Sequence, residues 1–151
     1  MSQWGPFRTG WAKTAGLFLL VFVSYAVGAL LPLKAFGASE LGPAFFPAAG
    51  VTVAALLLNP RTRWPAVIAA VALAEALVDI SEGYAPAAIA GYALANSVEP
   101  LIGAILVLRW CGGRPDLRRR RDLLLFVVGA CVAGPLAGGL IGGGAVAAQF
   151  G

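Results

Sequence analysis

Residues 15–33 read AGLFLLVFVSYAVGALLPL, nineteen residues without a charge, followed at once by Lys34. A helix of about 20 apolar residues is what a bilayer core of ~30 Å requires. A buried helix in a small soluble domain needs neither that length nor that uniformity. Arg8 and Lys13 precede the stretch, as they would precede the core of a secretory signal. The run exceeds the ~7–15 apolar residues of such a core, and no well-formed small-x-small cleavage site follows it. The segment therefore reads as a retained membrane helix.

Working outward, the same pattern recurs. Residues 41–58 are uncharged, with Pro43 and Pro47 in their first part. Those prolines predict a kinked start or a re-entrant segment over 43–50. Asn59-Pro60 then marks a turn. Further apolar blocks cover residues 64–80, 85–108 and 123–150; the last is interrupted by Gly134-Pro135 and by Gly142-Gly143-Gly144, and predicts one span with a bend at Pro135 or a helix followed by a loose end. Of the 151 residues, 60% are hydrophobic and only 12% are charged. A soluble domain carries about 25% charge, so the deficit excludes a water-exposed surface of ordinary kind. The predicted fold is all-α: a polytopic transmembrane bundle of about five spans. Residues 1–14 form an N-terminal segment and residues 15–151 the membrane domain. Short connections predict that consecutive helices are antiparallel neighbours.

Charge sets the orientation. Ten of the eleven basic residues fall on alternate connections that share one side; only Lys34 falls on the other. Trp4, Trp11, Trp64 and Trp110 lie at that same predicted interface. Cations favour the cytoplasmic side and indoles the interface, so the N-terminus is expected in the cytoplasm. Arg118, Arg119, Arg120 and Arg121 read as a topology anchor touching anionic lipid. No aromatic interleaving supports nucleic-acid binding there.

Polar groups at bilayer depth are costly and face a bundle interior or a cavity. Glu75 lies about 16 Å along its helix from the cytoplasmic start, and Glu99 about 14 Å from the same side. Asp79 follows Glu75 at i+4, near enough to the outer end to reach water. Asn96 precedes Glu99 at i−3 on a shared face. Pro100 has no N–H, so the Asn96 carbonyl loses its helix partner. Glu75, Asp79, Asn96 and Glu99 thus predict a shared polar site for a proton, a cation or a small polar ligand. The alternative is a hydrogen-bonded clasp between helices.

Gly134, Gly138 and Gly142 recur every four residues, and with Gly50 they are expected where helices pack closely, within the chain or in a homodimer. No histidine is present, and no nucleophile elbow, phosphate loop or metal-ligand set occurs. No catalytic residue, cofactor or metal is implied. Cys111 and Cys131 form no CxxC pair and read as free thiols.

The order of several motifs resembles the membrane-associated sensor domains of the MASE class, type one. The matching residues are Phe46-Pro47-Ala48-Ala49-Gly50 with the apolar run 51–58 behind them, then Arg63-Trp64-Pro65. Ala95-Asn96, Glu99-Pro100-Leu101, Gly103-Ala104 and Leu108-Arg109 follow. Arg121-Asp122 before Phe126, Gly134-Pro135 and Ile141-Gly142 complete the pattern. The resemblance covers roughly residues 45–144. It implies a multi-helix input domain of bacterial histidine kinases and diguanylate cyclases, set in the cytoplasmic membrane, with Asn96 and Glu99 carried over as its polar residues. Glu75 departs from that pattern, since the resemblance implies a less charged residue there. Such domains have about eight helices and precede a cytoplasmic output. Five spans place the C-terminus outside, so the expectation is a piece of a longer protein or a short relative with a separate signalling partner. A small transporter or channel using the same carboxylates is the second reading, and a membrane scaffold using the glycine face is the third.

Overall fold

The computed structural model describes residues 5–36 and 46–150. Trp4, Pro43 and the rest of the expected 41–45 portion of the second span lie outside them. Among the described residues there is no strand. The helices are α1 (Gly5–Phe36), α2 (Pro47–Leu58), α3 (Trp64–Ser81), α4 (Pro86–Cys111), α5 (Arg120–Phe126) and α6 (Gly134–Phe150). A short 3-10 turn, Arg61–Arg63, leads into α3, and a wide π-helical segment, Val127–Ala133, joins α5 to α6.

Four segments are long and apolar enough to cross a bilayer: Gly10–Pro32, Arg61–Ser81, Pro86–Cys111 and Arg120–Ala147. α2 is apolar but has 12 described residues, a length of about 18 Å. Pro47 does not kink it. Pro47 is its first helical residue, where the missing N–H costs nothing and the fixed φ suits a helix start. Pro100 does sit inside α4 and is buried.

The bend expected at Gly134-Pro135 takes a different form. The chain widens over the preceding two turns, and the Gly134 N–H donates to the Gly129 carbonyl, five residues back. Proline cannot donate and its ring crowds the carbonyl four residues earlier. Widening the turn ahead of it relieves that crowding without ending the helix.

α4 is the central element. It packs most extensively on α6 and also on α2, α3 and the π-helical segment, while α1 packs on α3 and α2. The expected adjacency of consecutive helices holds for α1 with α2 and for α3 with α4. It fails for α2 and α3, which touch only slightly, because α2 lies between α1 and α4. The core is built of small and β-branched residues, among them Val21, Ala29, Val67, Ala70, Val71, Ala74, Ala104 and Val107. Large apolar side chains point outward instead: Leu19, Leu20, Leu77 and Leu140 are all exposed. Small residues inside and leucines outside is the arrangement expected where helices meet closely and lipid replaces water.

The two ends of the bundle differ in charge. At one end Lys34, in the last turn of α1, forms a 2.7 Å ion pair with Glu82, just after α3. At the other, the last carbonyls of α2 collect side-chain donors. Asn59 Nδ2 donates to the Ala55 carbonyl at 2.9 Å, Trp64 Nε1 to that of Leu56 at 2.9 Å, and the Arg114 guanidinium to that of Leu58. These are the orphan acceptors of a helix C-terminus. Arg61 lies 5.5 Å over the Trp64 ring. α4 closes at this end with Gly112 at φ 72° and the Gly113 N–H on the Leu108 carbonyl at 2.9 Å, a left-handed cap that suits glycine. Trp64→Phe keeps the buried ring but orphans the Leu56 carbonyl. It is expected to cost about 1 kcal/mol, read as a lower midpoint in reversible unfolding of the detergent-solubilised chain.

Candidate functional site

Glu75 is the centre of the polar arrangement. α3 carries it on a face lined by Val67, Ala70, Val71, Ala74 and Val78, all buried. These small side chains let α1 and α4 come close enough for two donors to reach the carboxylate. From α1, Tyr25 Oη donates to Glu75 Oε2 at 3.0 Å. From α4, Asn96 Nδ2 donates to Glu75 Oε1. Tyr25 is fully buried and Glu75 is 6% exposed. The Tyr25 ring also packs edge-on against Phe46, centroids 5.9 Å apart, at the entry to α2. One carboxylate therefore joins α1, α3 and α4.

Asp79 lies one turn further along the same face. It does not reach water as its position near the helix end suggested: it is 4% exposed, and its Oδ2 is buried without a hydrogen-bond partner. α3 packs against both α1 and α4. The ion pairs among the described residues, Lys34 with Glu82 and Arg119 with Asp116, both lie outside this cluster. A buried carboxylate oxygen with no donor is expensive. Chemically, the pair can take up a proton or a cation, and Asn96 and Tyr25 can each yield a donor to a polar ligand.

Glu99 stands apart. Three residues beyond Asn96, it turns to α6 and to a cavity between α2, α4 and the α5–α6 rod. A Cβ added to Gly138 would lie 2.8 Å from both the Cβ and Oε2 of Glu99. Glu75 is not among the residues lining that cavity. The structure thus brings together Glu75, Asp79 and Asn96 with Tyr25, and places Glu99 at a second location.

Sequence reasoning missed Tyr25. The signal that was available is a phenol near the middle of an otherwise uncharged span, since a buried tyrosine hydroxyl needs a partner.

The glycine face looks inward. Gly134, Gly138 and Gly142 all face α4, the first with the Glu99 carbonyl 2.8 Å from an added Cβ and the last with Ala95 at 3.9 Å. Gly139, Gly143 and Gly144 have nothing within 4 Å. Gly50, expected at a packing contact, also has open space beside it and borders the cavity. The arginine run is exposed. Arg119 pairs with Asp116 at 3.4 Å, Arg121 donates to the Trp110 carbonyl at 3.3 Å, and Asp122 accepts from the Asp116 N–H at 3.0 Å. Cys111 and Cys131 are free thiols.

An all-helical chain with four segments able to cross a bilayer and an acidic cluster between its helices is a membrane-embedded helical domain. Residues 14–150 match the MASE1 family model, and the chain belongs to that family. MASE1 is a membrane-associated sensory input domain. No curated protein and no solved structure matches the chain.

Proposed function

We propose that this chain is a multi-pass input module of the bacterial inner membrane, oriented with its N-terminus in the cytoplasm. It registers a proton, a cation or a small polar ligand at the Tyr25–Glu75–Asn96 cluster and relays the change to a kinase or cyclase output. It acts by a shift of helix packing and carries out no reaction itself. The observation that carries this reading is Asp79 Oδ2, buried and unpartnered one turn from a carboxylate that ties three helices together. Occupying or protonating that position changes the electrostatics beside Glu75, and Glu75 holds α1 and α4 in register. A stimulus shifts such an equilibrium only by its differential affinity for the two arrangements, and an unmet buried acceptor supplies that difference. Orientation rests on the grouping of Arg61, Arg63, Arg109, Arg114 and the 118–121 run at the end of the bundle opposite Lys34.

The test uses the full chain in lipid nanodiscs with spin labels at Val27 on α1 and Leu94 on α4, both exposed. The distance distribution between them is expected to change between pH 5 and pH 8, or on exchanging sodium for a large organic cation. Asp79→Asn is expected to abolish the change while the chain remains folded and inserted. Identical distributions under every condition would remove the reading. Ion flux through proteoliposomes, lost in the same variant, would point to transport instead.

A further inference from the structure

The second polar location carries an independent inference. Between α2, α4 and the α5–α6 rod lies a cavity of about 600 Å³, inside the range of small-molecule sites, roughly 300–1,000 Å³. Its wall is mainly apolar, with Val53, Leu57, Phe126 and Ala130 among the lining residues, and Gly50 leaves it open beside α2. Two charged side chains border it, Glu99 and Arg114. The Arg114 guanidinium is engaged by the Leu58 carbonyl. The Glu99 carboxylate has no hydrogen-bond or ion-pair partner among the described residues.

The two facts together say what would fit. An apolar wall at bilayer depth favours an apolar body arriving from the membrane. A lone carboxylate on that wall favours a donor, because a polar group in such surroundings is stable only when paired. We propose that this cavity binds a lipophilic molecule whose polar end is a hydroxyl or amine, seated with that end on Glu99. Plain acyl chains of the surrounding lipid would fill the volume but leave Glu99 unpaired. The inference does not depend on the Glu75 cluster, which borders a different part of the bundle.

Cys131 borders the cavity and its thiol is free, so it reports occupancy. The experiment follows the rate of maleimide labelling of Cys131 in the Cys111→Ala chain, in nanodiscs of fixed lipid composition. The probes are n-dodecylamine, n-dodecanol and dodecyl methyl ether, which has no donor. The amine and the alcohol are expected to slow labelling saturably, by at least about fivefold, while the ether has little effect. Glu99→Leu is expected to raise the half-maximal concentration of both donors at least about tenfold, toward that of the ether. Equal protection by all three probes in the unaltered chain would overturn the proposal, as would undiminished protection by the donors in a folded Glu99→Leu chain. The first comparison needs no variant at Glu99, so it decides the matter even where that variant fails to fold.

Discussion

Gly134→Leu is expected to break the packing of α6 on α4, whereas Gly139→Leu, five residues on, leaves stability nearly unchanged. An added Cβ at Gly134 would lie 2.8 Å from the Glu99 carbonyl oxygen. That atom belongs to the backbone of α4 and cannot swing away as a side-chain tip can. Gly138 meets Glu99 at the same 2.8 Å, and Gly91 meets the Ala145 Cβ at 2.5 Å, so the two helices are in near-backbone contact along their shared length. Overpacking a close-packed site costs about 1–3 kcal/mol and sometimes more; leucine at Gly134 belongs at the upper end. For a chain of this size that is a fall in thermal midpoint on the order of 10 °C, measured by circular dichroism in detergent. Gly139 has nothing within 4 Å, so a leucine there points outward and adds helix propensity. Equal losses from both substitutions would mean that α6 is rotated about its axis relative to the arrangement described. Unchanged stability with loss of oligomers in Gly138→Leu would move this face to a contact between copies.

That pair of outcomes also marks what was legible beforehand. That the chain is a bundle of long apolar helices follows from the length of its apolar runs: residues 15–33 lie inside α1 and residues 85–108 overlap α4. The count does not follow in full, since the structure has four segments long enough to cross and α2 is not one of them. Rotation about each helix axis does not follow. These helices are apolar on every side, with leucine outside and alanine or valine inside, so no hydrophilic face announces which way a residue points. Asn96 and Glu99 show the consequence. At three residues apart they differ by about 60° around the helix, close enough to be read as one face. In a bundle this tight that angle separates a contact with α3 from one with α6. Asp79 was placed by its distance from the helix end, which measures depth but not coverage, and in the packed bundle it is buried. Tyr25 lay in the stretch that decided the fold, yet its role depends on the partner it meets fifty residues later. The π-helical widening before Pro135 is a compensation between backbone and proline ring, visible only once α4 fixes how far α6 can move. Membership in the MASE1 family was legible, because it rests on the order of short motifs rather than on orientation.

Removing the acceptor at the centre of the cluster is expected to cost more than removing either donor. Glu75→Leu leaves the buried Tyr25 hydroxyl and the part-buried Asn96 amide without their partner, at about 1–3 kcal/mol for an unmet buried group. Tyr25→Phe removes one donor and leaves Glu75 with Asn96, at about 1 kcal/mol. Hydrogen bonds between membrane helices average about 0.6 kcal/mol in double-mutant cycles and reach ~1.7. The Tyr25–Glu75 contact is direct, 3.0 Å long and buried at both ends, so a coupling near the upper value is expected. The Tyr25→Phe, Glu75→Leu double variant should then lose less than the two single losses added together, by roughly 1–1.7 kcal/mol. Unfolding midpoints of the four proteins in one detergent give the number, and a coupling of zero would mean that the hydroxyl and the carboxylate are not partners. The value matters beyond stability. Glu75 is held from α1 through Tyr25 and from α4 through Asn96, so the free energy stored in these contacts bounds what this cluster can transmit. A stimulus acting there can bias the packing of α1 against α4 by no more than the interactions it alters.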